Sequence, residues 1–428
     1  MKAAALLLAL AATAPGAGAQ DAPSFAIVGA RVVPVSGPVL EKATVLVSGG
    51  RITAVGAEVA VPEGVETIDA AGQTLYPGLI DALTVLGLTE IGSVPGSVDV
   101  SEVGDVNPQA RAWVALQPHS DLIPVARANG VTAALAAPGG GLISGQSALI
   151  RLAGTTPAEL VIKGPAAMHI EYPSGRPAFD FAQLFQEPEL KTFEEREQEK
   201  KKNQEKALRR LGGLLDEARA FAQGRQASLS SRPDLALESL APAARGQVPV
   251  VVRADTEADI RGAVAFTSAR GLKAIIAGGA DAWRCAALLK EKEVPVLLSV
   301  DRVPRREDEP YDAAYANAAA LHRQGVRFAI VTDDASQSRN LPYEAAMARA
   351  YGLPAEAALR AITLSPAEIF GVADRLGSIE AGKAASLVLA TGDIMDARTQ
   401  VTRVWIDGRP QSLETRHTRL YQQFKDRK

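Results

Sequence analysis

Residues 248–300 read VPVVVRADTEADIRGAVAFTSARGLKAIIAGGADAWRCAALLKEKEVPVLLSV, and two periods alternate along them. Val248–Val252, Lys273–Ala277 and Val294–Val300 are short apolar runs. Between them Thr256–Arg270 and Asp281–Lys292 carry helical spacing, and a helix over Ala313–Arg323 leads to one more apolar run, Val326–Thr332. A strand that is apolar throughout is buried on both faces, as happens in a parallel sheet covered by helices. In a chain of 428 residues this repetition predicts an α/β fold, a (β/α)8 TIM-like barrel.

Outward from that centre the pattern becomes purely β. Phe25–Val33 is β-like, and Ala43–Val47 and Arg51–Val55 flank Ser48-Gly49-Gly50. A Gly pair between β-branched runs predicts a hairpin, because such turns need positive φ. Glu66–Asp69 and Thr74-Leu75 continue the short-strand rhythm, and Ala385–Ala390 and Val401–Gly408 match it at the far end. A unit of about fifty residues is too small to bury a large core alone, so both ends are expected to combine into one small β-sandwich. Between barrel strands, Lys191–Arg210 is dominated by Lys, Arg and Glu and predicts an exposed helix with i,i+4 pairs.

The first residues read differently. Lys2, the apolar run Ala3–Ala14 and the small-residue site Ala17-Gly18-Ala19 have the layout of a signal peptide. The expectation is an exported, periplasmic protein whose mature chain begins at Gln20. The expected division is then 1–19 signal peptide, 20–75 first part of the sandwich, 76–375 barrel with a charged helical segment at 191–223, 376–412 second part of the sandwich, and 413–428 tail. A formal net charge of -3 argues against nucleic acid as a partner. The single cysteine, Cys285, excludes an intrachain disulfide, and its place in Trp283–Leu289 reads as a buried helix stripe.

Tyr76-Pro77-Gly78-Leu79-Ile80-Asp81-Ala82 resembles the opening barrel strand of the metal-dependent amidohydrolase superfamily. Gly130-Val131-Thr132, the loop Pro138–Ser147, the segment Ala355–Ala367 and Gly377-Ser378-Ile379-Glu380-Ala381-Gly382-Lys383 are similar to successive elements of the same superfamily, in the same order. The resemblance is nearest to its imidazolonepropionase-like and prolidase-like branch. It implies a barrel with a composite β-sandwich, a zinc or other divalent metal, and hydrolysis of carbon–nitrogen bonds in cyclic amides or small proline-containing peptides.

The resemblance also marks a departure. In the family, the Pro-Gly-Leu-Ile-Asp strand continues into His-x-His, whose imidazoles hold the metal; here Leu83 and Val85 stand in those places. The strand 5 histidine is replaced by Arg253, which stays protonated and cannot ligate. The strand 6 position falls at Gly278, and only the strand 8 carboxylate survives, as Asp333. Metal-activated water needs a defined set of nitrogen and oxygen donors, so no metal cofactor is expected. For the bridging strand 4 ligand of some members, Lys163 is a candidate, with a surface lysine as the plainer reading.

Two functions remain open. One is a pseudoenzyme, a binding protein or subunit that pairs with an intact relative, binds a small molecule and is expected to be an oligomer. The other is a hydrolase with a rebuilt catalytic site, in which His169 and Glu171, two apart and on one face of a strand, join Asp333. His119, His322 and His417 suggest no site. The Gly-rich run Pro138–Gly145 lacks the Gly-Lys-Ser/Thr ending of a phosphate loop and reads as a strand-end loop. If Arg253 and Asp333 meet at the barrel mouth, the guanidinium supplies the positive charge that a metal would otherwise bring.

Overall fold

A computed structural model describes residues 22–173, 192–226, 233–301 and 309–427. The signal-peptide reading of residues 1–19, and Lys191 at the start of the charged segment, lie outside the described residues.

In chain order the strands are β1 Phe25–Val32, β2 Leu40–Ser48, β3 Arg51–Gly56, β4 Glu66–Asp69, β5 Thr74–Pro77, β6 Leu79–Thr84, β7 Val131–Ala136 and β8 Ile143–Arg151. They continue as β9 Val161–Glu171, β10 Val250–Ala254, β11 Ala274–Gly278, β12 Val296–Leu298, β13 Phe328–Ile330, β14 Leu387–Ala390, β15 Val401–Ile406 and β16 Arg409–Gln411. They form two eight-stranded sheets. In the first, β1 pairs with β2, β4 and β5, and β14 joins β5 antiparallel, so strands from both ends share one sheet. Its apolar faces enclose a separate core that includes Phe25, Ile27, Leu75, Leu387 and Trp405, which is the composite β-sandwich.

The second sheet runs β6 to β13 in chain order and curls into the barrel. Its two end strands are brought together where the Asp333 N–H donates to the Leu83 carbonyl at 3.0 Å. Strands β9 to β13 are mutually parallel, as are β6 and β7, whereas β8 runs antiparallel to β7 and β9. The reversal is made by the Gly-rich run. Gly140 and Gly141 have φ of +83° and +69°, and a Cβ on Gly141 would stand 2.8 Å from the Asp105 carbonyl oxygen. Those glycines serve a tight turn pressed against a neighbouring loop, which accounts for them without a phosphate.

Side-chain alternation gives the barrel its two faces. Ala133, Leu135, Val251, Ile275, Ala277, Leu297, Ala329 and Val331 fill the interior, while Val250, Val252, Ile276, Leu298 and Ile330 pack outward under the helices. Gly78 joins β5 to β6 where a Cβ would lie 2.0 Å from Thr132 Oγ1, so the Pro-Gly of the opening strand is a packing requirement. The charged stretch is a helix over Phe193–Gln226. Its first half is largely exposed, and Leu211, Leu215 and Ala218 bury its second half. Cys285 is buried, and burial pushes its thiol up to about 11, the behaviour of an inert core residue. Among the described residues no helix is long and apolar enough to cross a membrane.

Candidate functional site

The carboxyl ends of parallel strands form the mouth of such a barrel, and chemistry on this fold belongs there. Register decides what reaches it. Val251 pairs with His169 and Arg253 with Glu171 across β9 and β10. Because Val251 lines the interior, His169, Glu171 and Arg253 share that inward face, with Glu171 and Arg253 one step nearer the mouth.

Arg253 and Asp333 meet across the mouth in a bidentate fork: Nη1 donates to Oδ2 at 2.7 Å and Nη2 to Oδ1 at 2.8 Å. Both carboxylate oxygens of Asp333 are therefore engaged. The Glu171 carboxylate stands 3.5 Å from Arg253 Nε and makes a looser second partner. The hydrogen bond to Asp333 outweighs the effect of burial and raises the guanidinium pKa further, so Arg253 is a permanent cation. Asp333 itself has φ +52°, a left-handed conformation that aspartate tolerates better than most side chains. That kink turns the chain out of β13 while its N–H reaches Leu83.

Burial raises the Glu171 carboxyl pKa, with Arg253 pulling the other way. His169 lies deeper. The residue is 6% exposed, its Nε2 has no hydrogen-bond partner among the described residues, and burial together with Arg253 holds its pKa down at about 3. It is a neutral imidazole at any ordinary pH.

The other positions that the resemblance marks can be located as well. Leu83 is buried in the interior core and Val85 is half-buried. Gly278 has φ +88°, and a Cβ there would fall 2.3 Å from Asp255 Oδ1. On β11 it is Ala277 that pairs with Arg253 and lines the interior; a side chain starting at Gly278 would meet the carboxylate of Asp255, whose pKa is raised, chiefly by burial. Sequence reading missed Asp255; its signal was the Arg253-Ala254-Asp255 spacing at the end of an apolar strand. Lys163 corrects an expectation. It stands near the start of β9, far from the mouth, with Nζ donating to the Phe370 carbonyl at 2.6 Å, so it cannot bridge a metal there. His119, His322 and His417 are exposed and join no site.

A divalent metal needs three or more converging lone pairs, with imidazole and carboxylate typical for zinc. Leu83, Val85 and Gly278 offer none, Arg253 brings a positive charge, and Asp333 already has both oxygens engaged. Among the described residues no group of three His, Cys, Asp or Glu side chains could hold an ion. The residues present do not fit the family's metal.

Behind the mouth lies a second polar cluster. Asp81, fully buried on the outward face of β6, accepts from Thr332 Oγ1 at 2.5 Å, from the Thr332 N–H at 3.2 Å and from Ser338 Oγ at 3.0 Å. Burial outweighs these donors and raises its pKa to about 7. A carboxyl whose folded pKa exceeds its unfolded value contributes stability that is complete below the unfolded pKa, about 3.9. That contribution is lost as pH rises through about 7. Asp81→Asn is therefore expected to flatten this part of the stability–pH curve. Guanidinium denaturation at a series of pH values spanning that window measures it; identical slopes in both proteins would clear Asp81 of the effect.

Comparison with known proteins accords with this architecture. A model of the "Amidohydrolase family" matches residues 263–410. The amidohydrolase tasK of Hapsidospora irregularis is 26% identical over 402 residues, covering 86% of this chain; the chain spans only 39% of that relative's length. A solved amidohydrolase from Thermotoga maritima MSB8 shares 26% identity with a TM-score of 0.78, over 90% of this chain and 99% of the other. A solved Xaa-Pro dipeptidase with methionine in its active site superposes at a TM-score of 0.56 and 15% identity, over 91% of this chain and 100% of its own, a likeness of fold alone.

Proposed function

We infer that this chain, which belongs to the amidohydrolase superfamily, has exchanged the superfamily's catalytic metal for an internal ion pair and works as a binding protein or subunit. One observation carries the reading. The bidentate Arg253–Asp333 bond spans the two positions whose family counterparts would converge on the metal, so the positive charge there is covalently part of the protein. A carboxylate buried without its cation is costly, and the guanidinium removes that cost without offering an open coordination position for water. The partner is proposed to be an intact relative or a small molecule, in an oligomer. Export through residues 1–19 belongs to the same proposal.

The competing reading, a hydrolase rebuilt around Asp333, His169 and Glu171, asks His169 to exchange protons near neutrality. A ring held at about 3 by burial is poorly suited to that task, and Asp333 is not free to act as a base while Arg253 occupies both its oxygens.

Protein purified without chelator is expected to hold no stoichiometric zinc, manganese, iron or nickel by elemental analysis, and to turn over no proline-containing dipeptide or cyclic amide. About one metal per chain, released on Asp333→Ala, would show that a ligand set assembles in solution. Turnover without metal, abolished by His169→Ala, would establish the rebuilt enzyme instead.

A further inference from the structure

We propose that the end of the barrel opposite the mouth is a binding site for a small dianion, a phosphate monoester or a dicarboxylate. A cavity of about 540 Å³ opens there, at the starts of β10 to β13. That volume falls in the range of about 300–1,000 Å³ occupied by small-molecule sites. The amino-terminal face of a TIM barrel ordinarily serves stability alone, so nothing in the fold requires a cavity of this size here.

The charges around it are out of balance. Lys163, Lys273, Lys292 and Arg327 line the cavity, with Glu293 and Glu368 as its only acids among the described residues. Glu368 is taken up by Arg360 at 2.6 Å, and Lys292 pairs with Glu291 at 3.0 Å. Lys163 and Arg327 make no ion pair among the described residues. They donate instead to neutral backbone carbonyls, Lys163 Nζ to Phe370 at 2.6 Å and Arg327 Nη2 to Glu293 at 3.3 Å. Lys273, exposed at the rim one residue before β11, has no side-chain partner among the described residues. Three cations without acidic partners thus face one remaining carboxylate, Glu293, and the surplus is two positive charges.

A half-buried ammonium on a neutral carbonyl is under-compensated, and unpaired charge withdrawn from water is costly. Gly371, which also lines the cavity, lies beside Lys163: a Cβ there would stand 3.4 Å from Nζ. An occupant with two negative charges and several acceptor oxygens would satisfy Lys163, Lys273 and Arg327 together through charge-assisted hydrogen bonds.

Titration calorimetry on the full chain, in a phosphate-free buffer at low ionic strength, tests this with inorganic phosphate and succinate as separate probes. Saturable one-to-one binding of at least one probe is expected, weakening as sodium chloride is added. The preferred probe assigns the source, phosphate or dicarboxylate. Lys273→Ala/Arg327→Ala, which changes only exposed side chains, is expected to weaken binding about tenfold or more, equivalent to about 1.4 kcal/mol. Lys163→Met, checked for folding by circular dichroism, is expected to abolish it. No saturable binding of either probe at millimolar concentration, or undiminished affinity in the Lys273/Arg327 variant, would overturn the proposal.

Discussion

Arg253→Ala is expected to destabilise the protein by about 2–3 kcal/mol, and adding Asp333→Ala is expected to return much of that loss. An exposed ion pair contributes about 0–1 kcal/mol, and breaking a fully buried one costs about 3–5 kcal/mol. This pair lies between, its side chains being 37% and 31% exposed, and its bidentate geometry favours the upper part of the interval. With Arg253 gone, Asp333, Glu171 and Asp255 face one another without the cation that tempers all three. Removing Asp333 as well relieves that repulsion, so the two changes should not add. A double-mutant cycle by chemical denaturation reads the coupling directly. Arg253→Lys should recover only part of the stability, because a point charge cannot make both parallel bonds. Strictly additive losses would mean that the fork contributes geometry without energy.

The second large effect is expected at Gly278. Gly278→Ala should cost about 2–3 kcal/mol, from two sources that can be separated. The backbone sits at φ +88°, and the new methyl would meet Asp255 Oδ1 at 2.3 Å and Cγ at 3.0 Å. The backbone share stays whatever surrounds it, whereas the steric share depends on whether the Asp255 carboxylate can swing away. In an Asp255→Ala background the penalty should fall to the backbone share alone, about 1 kcal/mol or slightly more. Equal penalties in the two backgrounds would show that Asp255 yields freely. A histidine placed at Gly278 would meet the same obstacles.

The barrel was legible because its strands are apolar throughout and its helices periodic; Ala313–Arg323 ends on the residues that the pattern gives. The reversed strand β8 was not legible. Ile143–Arg151 carries Ser144, Gln146 and Ser147 among its apolar residues, so its first half read as part of the loop, and direction resides in the turn before it rather than in its own side chains. The helix expected over Asp281–Lys292 begins instead as a 3-10 turn at Ala282–Cys285 and becomes α-helical only at Ala286. At the mouth, the meeting of Arg253 with Asp333 was legible, because alternation along β10 turns Arg253 inward with Val251; on β11 the inward residue is Ala277, one step from Gly278. The neutral state of His169 was not legible, since it follows from depth beneath Glu171. Nor was the displacement of Lys163 to the opposite end, because a lysine in a strand carries no mark of which end it occupies.

The pairing of β5 with β14 also sets an order in time. Thr74–Pro77 acquires its antiparallel neighbour only from Leu387–Ala390, and β6 is closed only when the Asp333 N–H reaches Leu83. The hairpins β7–β8 and β8–β9 need only nearby residues and can form as soon as they are made, whereas pairings between distant parts of a chain are slow to form. A nascent chain therefore carries an early meander whose flanking strands wait for partners encoded some 250 and 310 residues downstream. Until those arrive, β5 presents an unpaired edge, the kind of surface that adds strands from other molecules. For this architecture, the most hazardous interval is synthesis itself, and the last strands to be made are the ones that end it.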